Sequence, residues 1–119
     1  MTKVNIAEKF GLFTDYWNPR LVGELNGQQL KLAKLKGEFL WHRHAAEDEL
    51  FLVVKGGIEI RLRDGLVALG EGEFFIVPRG VEHQPVAVEE AHVLFLEPAS
   101  TVNTGDARNE RTREDLEWI

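Results

Sequence analysis

A chain of 119 residues with 14 basic and 20 acidic side chains carries a net charge of −6, a poor match for nucleic-acid phosphates. Its 44% hydrophobic content supports a core and argues against disorder, and a single domain over 1–119 is expected. The absence of cysteine excludes disulfide frameworks and thiolate metal sites, so any metal would be held by His, Asp and Glu.

No stretch approaches the ~18 apolar residues of a membrane span. The start, "MTKVNIAEKFGLF", lacks the apolar core of a leader peptide, so a cytoplasmic protein is expected. Within that start, "NIAEKFGLF" fits one short helical turn. Next comes "LVGELNGQQLKL", where Asn26-Gly27 between two strand-like runs predicts a type I′ hairpin, whose two central residues both need positive φ. Turn signals then recur at "KGG" (Lys55–Gly57), "RDG" (Arg63–Gly65), "GEG" (Gly70–Gly72) and "PRG" (Pro78–Gly80). The β-branched and aromatic runs "LFLVV", "IEIRL", "LVAL", "EFFIV" and "AHVLFLE" are of strand length. This spacing predicts an all-β sandwich or barrel, with its core over about 20–98.

Phe51, Phe74 and Phe75 are expected in the core, and Glu89–Glu90 is expected to be a solvent-facing hairpin turn. The final segment, 99–119, is polar until Leu116, Trp118 and Ile119. It predicts an extended tail pinned by those residues, with a short helix near Thr112–Glu117. Leu50 to Val54 is apolar on both faces, whereas an antiparallel strand with one wet face alternates. The outer face should therefore be covered, by the N-terminal hairpin or by a second copy. A homodimer through strand faces that include Trp41 and Leu52 is expected.

The ionisable residues of "WHRHAAEDELFLVVKGG" stand against this core-like run. On a strand His42 and His44 point one way and Trp41 and Arg43 the other, with the two histidines roughly 6–7 Å apart at Cα. Glu49 joins them if the next strand pairs alongside. His83 follows the Pro78-Arg79-Gly80 corner and can enter beside the first pair. Three imidazoles and one carboxylate suit a first-row divalent metal and, in six-fold coordination, leave two positions open. His92 reads as a core or interface histidine. Glu47 and Asp48 read as solvated acids, Asp48 being the stand-in ligand if the register slips by one, and Arg79 reads as an exposed turn residue.

Together the two segments resemble the paired motifs of the cupins, a superfamily of small β-barrels. In the first, His42-Arg43-His44 is followed by four residues to Glu49 and six more to Gly56, while Gly37 stands one residue closer to His42 than the pattern asks. In the second, Gly72, Pro78, Gly80 and His83 match in spacing, and Ala87 replaces the closing asparagine. The resemblance implies a double-stranded β-helix, or jelly-roll, barrel in which His42, His44, Glu49 and His83 bind a divalent transition metal (Mn, Fe, Ni or Zn). It further implies isomerase, epimerase or dioxygenase chemistry on a small oxygenated molecule, or else small-molecule binding without turnover. Small cupins of this kind are compared with mannose-6-phosphate isomerases, yet no Gly-rich phosphate cradle or lysine pair accompanies the motifs here.

Overall fold

The structure is a computed structural model describing residues 1–119. Helix α1 (Ile6–Phe10) is the expected single turn, with the Asn5 side chain accepting from the Glu8 amide at 3.1 Å as its N-cap. Strands β1 (Arg20–Leu25) and β2 (Gln28–Glu38) are joined by Asn26-Gly27, whose φ values of 49° and 79° are those of the predicted I′ turn. The remaining strands are β3 (Glu49–Lys55), β4 (Ile58–Leu62), β5 (Gly65–Leu69), β6 (Phe74–Val77), β7 (His83–Pro98) and β8 (Glu117–Trp118). The predicted all-β barrel is present, with the core inside it formed by Leu35, Phe51, Val53, Ile60, Val77 and Val93.

Strand β7 organises the fold. One edge pairs with β2 from Gln28↔Pro98 to Glu38↔Val86. Its other edge is shared, with β4 taking His83–Val86 and β3 taking His92–Leu96. Between Leu35↔Ala91 and Gly37↔Ala87 the register slips, so Val88, Glu89 and Glu90 face the single residue Lys36. The acids at 89 and 90 are therefore not a hairpin turn but a bulge inside one strand, because pairing with β2 continues on both sides. Such a bulge bends a strand, and the bend lets one strand serve two half-sheets. Gly37 sits at this slip with φ 82°, a conformation that glycine adopts without strain.

Strand alternation explains a second departure. The pairs Phe51↔Phe75 and Leu52↔Phe74 put Phe75 on the Phe51 face and Phe74 on the opposite, outer face, where it is 59% exposed. Phe74 is thus not a core residue. The outer face is covered in part by the N-terminal segment, through α1 rather than the hairpin. Phe10 and Phe13 are buried against Leu32, with Val54, Leu94 and Ile119 around them, each ring contributing about 1.5–3 kcal/mol.

The tail also differs from expectation, since no helix forms near Thr112–Glu117. Side chains take up the backbone groups that a helix would use. Asn103 Nδ2 donates to the Arg111 carbonyl, the Arg113 amide donates to Asn103 Oδ1, and the Thr104 and Thr112 hydroxyls lie 2.8 Å apart. The chain then runs extended as β8, parallel to β1, and the Ile119 amide donates to the Leu21 carbonyl.

Candidate metal centre

The segment carrying His42 and His44 is extended but is not a full strand. It is tied down by one reciprocal pair, His42 N to His83 O at 3.0 Å and His83 N to His42 O at 2.9 Å. The Gly80 amide, freed by the Pro78 corner, donates to the His44 carbonyl at 2.8 Å. Glu49 opens β3 on its inner face, the face of Phe51 and Val53. Two segments forty residues apart thus bring His42, His44, Glu49 and His83 together. Each offers a ligand atom within 4.8 Å of the others, and all four side chains are buried.

The imidazoles are oriented for coordination. Nδ1 of His42 lies 2.9 Å from the Leu40 carbonyl, and Nδ1 of His83 lies 2.9 Å from that of Val81. A carbonyl only accepts, so both Nδ1 atoms carry the proton and both Nε2 atoms offer a lone pair. Nε2 of His44 and of His83 each stand 3.3 Å from Glu49 Oε1. These three atoms are buried and have no hydrogen-bond partner, and neither has Nδ1 of His44. Buried polar atoms left without partners are rare and costly. Here they converge on one point, and their chemistry is that of a first-row divalent ion.

Protonation follows the same geometry. Burial, then the neighbouring His83, pushes His42 down to about 4, so it is neutral and able to bind metal at neutral pH. Burial would also lower His44, but the Glu49 carboxylate 3.3 Å away prevails and raises it. Burial would raise Glu49, but the adjacent His44 and His83 imidazoles outweigh it and hold the carboxyl well below the usual carboxylate range.

Two further buried groups escaped the sequence reading. Glu97 lies beside Glu49, and its burial and the Glu49 charge push it well above the ordinary carboxyl range. Glu97 thereby favours its neutral form beside the Glu49 carboxylate. Its Oε1 accepts from Lys31 Nζ at 2.8 Å, and Lys31 also reaches the Thr101 carbonyl at 3.3 Å. Their signal was parity: Lys31 shares its strand face with Ala33 and Leu35, and Glu97 shares its face with Val93 and Phe95.

A cavity adjoins the cluster, with Trp17, Leu35, Phe39, Phe51 and Phe95 in its walls and His42, Glu49 and Glu97 on its polar side. A wider cleft of about 240 Å³ reaches His44 from outside, between the loop Ala45–Glu47 and the tail at 100–106. The tail is seated tightly there. The Asp106 amide donates to the Arg43 carbonyl, and a Cβ on Gly105 (φ 58°) would stand 2.1 Å from that oxygen and 3.3 Å from the His42 ring. Gly105→Ala is expected to cost about 2–3 kcal/mol in urea unfolding and to expose the tail to protease. A change below ~0.5 kcal/mol would show that the tail does not sit against the site.

The remaining candidates lie elsewhere. Asp48 is no stand-in ligand: its carboxylate accepts from the Arg79 amide at 2.8 Å and pairs with the Arg79 guanidinium, steadying the Pro78–Gly80 corner. Glu47 accepts from the Ser100 hydroxyl. His92 points outward, stacked on Phe10 at 4.6 Å and 2.8 Å from Glu90, and it packs the N-terminal helix rather than the cavity.

Comparison with known proteins agrees with this architecture. A family model described as "Cupin domain" matches residues 30–97. The chain is 34% identical over 64 residues to the uncharacterized protein YdbB of Bacillus subtilis; the match covers 53% of this chain and 57% of YdbB, so the chain spans just over half the length of that curated relative. A cupin-2 domain protein of Shewanella frigidimarina is 45% identical with a TM-score of 0.79, covering 80% of this chain and 93% of that one. Protein NMB1881 of Neisseria meningitidis is 28% identical with a TM-score of 0.75, covering 82% and 99% respectively.

Proposed function

Because the chain belongs to the cupin family, we propose that it binds one divalent transition metal through His42, His44, Glu49 and His83 and acts on a small oxygenated molecule beside it. The observation that carries this reading is the convergence of buried, partnerless ring nitrogens on Glu49 Oε1. An ion of this class polarises a carbonyl or hydroxyl pair and, when it is Fe or Mn, adds redox chemistry. The chain's own residues do the rest. The carbonyls of Leu40 and Val81 fix two rings, the aromatic wall keeps bulk water out, and Glu97 lies beside Glu49, held by Lys31. Isomerase, epimerase or dioxygenase chemistry fits this arrangement. Non-catalytic binding is the second reading, favoured by one observation: beyond the four ligands, Glu97 is the only ionisable side chain in the cavity wall, and Lys31 already holds it.

Protein purified without a polyhistidine tag and reconstituted with Mn, Fe, Ni or Zn should hold close to one equivalent by elemental analysis. Less than a tenth of an equivalent with every metal would overturn the reading. Affinity should also depend on pH with a definite sign. Coordination needs neutral imidazole, and His44 is raised above the ordinary histidine range, so it must release a proton. Affinity should therefore fall by about tenfold per pH unit below the raised His44 value. The fall should steepen only towards pH 4, where His42 begins to protonate. Isothermal titration across pH 5–8 checks this, and a flat profile would contradict it.

A homodimer is also proposed, supported by the outer sheet face. There Leu50 lies between Ile76 and Leu96, and Leu52 between Phe74 and Leu94. Phe74 and Ile76 are well exposed, and contiguous apolar surface of this kind marks interfaces. Trp41, the other residue expected at this interface, carries the Arg63 guanidinium over its ring at 3.8 Å. Light scattering should give twice the chain mass, falling to one for Phe74→Asp. A monomeric parent at micromolar concentration would end the proposal. No helix is long and apolar enough to cross a membrane, and the cytoplasm stays the proposed compartment.

A further inference from the structure

The three imidazoles are not equally secured. A histidine that binds a cation through Nε2 keeps its proton on Nδ1, and that N–H needs an acceptor. His42 and His83 each find one two residues back along the chain, in the Leu40 and Val81 carbonyls at 2.9 Å. For His44 the corresponding carbonyl is that of His42, and it is turned towards the His83 amide. Nδ1 of His44 is left buried with no partner. A buried N–H without an acceptor is costly, and no hydrogen bond sets the tilt of this ring.

His44 borders the cleft of about 240 Å³ between the loop Ala45–Glu47 and the tail. Of the side chains that line it, only Glu47, Asp106 and the Ser100 hydroxyl can accept a hydrogen bond. Asp106 is tied to the Arg43 guanidinium at 3.1 Å, and its amide to the Arg43 carbonyl. Glu47 has one bond, from the Ser100 hydroxyl at 2.8 Å, in an exposed position where water can replace it. Against the lowering by burial, the charges that raise His44 are those of Glu49 and then Glu47, so the Glu47 carboxylate is close enough to act on this ring.

Resting on the reading of a metal-binding centre, we propose that Glu47 is a positioning residue, its carboxylate accepting from Nδ1–H of His44 when Nε2 of that ring serves as a ligand. It does for the third imidazole what backbone carbonyls do for the other two. The move is a turn of the Glu47 side chain within the cleft, exchanging the Ser100 hydroxyl for the imidazole N–H. The gain is an acceptor for a donor that is otherwise buried alone, whereas water satisfies the exposed hydroxyl. A carboxylate behind the ring also makes Nε2 a better donor of its lone pair. The same turn releases Ser100, and with it the bridge between loop and tail across the mouth of the cleft.

The test uses the whole protein loaded with Zn(II), its histidines isotope-labelled for proton–nitrogen NMR. The parent should show Nδ1–H of His44 as a slowly exchanging resonance alongside those of His42 and His83. In Glu47→Ala the His44 resonance should shift and exchange about tenfold faster, with the other two unmoved. Zn(II) affinity, measured against a competing chelator, should fall about tenfold in Glu47→Ala and roughly two- to threefold in Glu47→Gln, whose amide oxygen still accepts but carries no charge. Ser100→Ala should keep both the resonance and the affinity, since it removes only the rival donor. Glu47 is half-buried on a loop, so the urea midpoint of the metal-free protein should not move in any of the three. A His44 resonance missing from the parent, unchanged in Glu47→Ala, or lost equally in Ser100→Ala would overturn the role of Glu47 and leave the metal site standing. A parent that takes up no Zn(II) would remove the metal site and this inference with it.

Discussion

Replacing Glu49 with glutamine is expected to weaken divalent metal binding by roughly 100- to 1,000-fold. A structural zinc site of four ligands is worth about 10–16 kcal/mol, or about 2.5–4 kcal/mol per ligand, which converts to roughly two to three orders of magnitude. Glutamine keeps the volume and can still meet the His44 and His83 rings, but it brings no negative charge to the point where Oε1 now stands 3.3 Å from both. His83→Gln should behave alike, since His83 is fully buried and its Nε2 has no other partner. Competition against a chelator of known affinity measures the loss. A drop of less than tenfold in both variants would mean that the ion is held elsewhere.

The second large effect concerns stability. Lys31→Met leaves Glu97 buried with only Glu49 for company, and breaking a buried pair on one side costs about 3–5 kcal/mol. The lower end is expected, because Glu97 already leans towards its neutral form. The double variant Lys31→Met/Glu97→Leu should recover most of the loss, since an apolar replacement of a buried pair is often neutral. Urea unfolding of the parent, both singles and the double gives the cycle. A double variant as unstable as Lys31→Met alone would show that Lys31 acts through the Thr101 carbonyl and the tail, not through Glu97.

The barrel was legible because its strands are short, alternate cleanly and are separated by glycine turns whose chemistry is local. Asn26-Gly27 needs no tertiary information to be a I′ turn. The four converging residues were legible for a different reason: two segments matched a known pattern in spacing, and the pattern already encodes the long-range pairing of His42 with His83. Lys31 and Glu97 were not, because a charged residue at a core-facing position looks like a solvated one until its partner, 66 residues away, is placed opposite. Glu89 and Glu90 misled in the same way. Two adjacent acids favour water, and a bulge exposes them as well as a turn does, so only the β2 pairing on either side distinguishes the two. The tail failed because its conformation is fixed by Asn103, Thr104 and Gly105 reaching across the chain, not by its own propensity.

The reciprocal amide bonds between His42 and His83 bear on how an ion is captured. Two donors from distant parts of the chain have their backbones fastened together, and the Leu40 and Val81 carbonyls hold the rings themselves, so neither imidazole swings away without breaking a buried bond. Ordering them is therefore a cost met during folding and not at the moment of capture. A site stiffened in this manner has little freedom to remodel itself for ions that want other shapes, and it should sort metals by how well they suit a fixed frame.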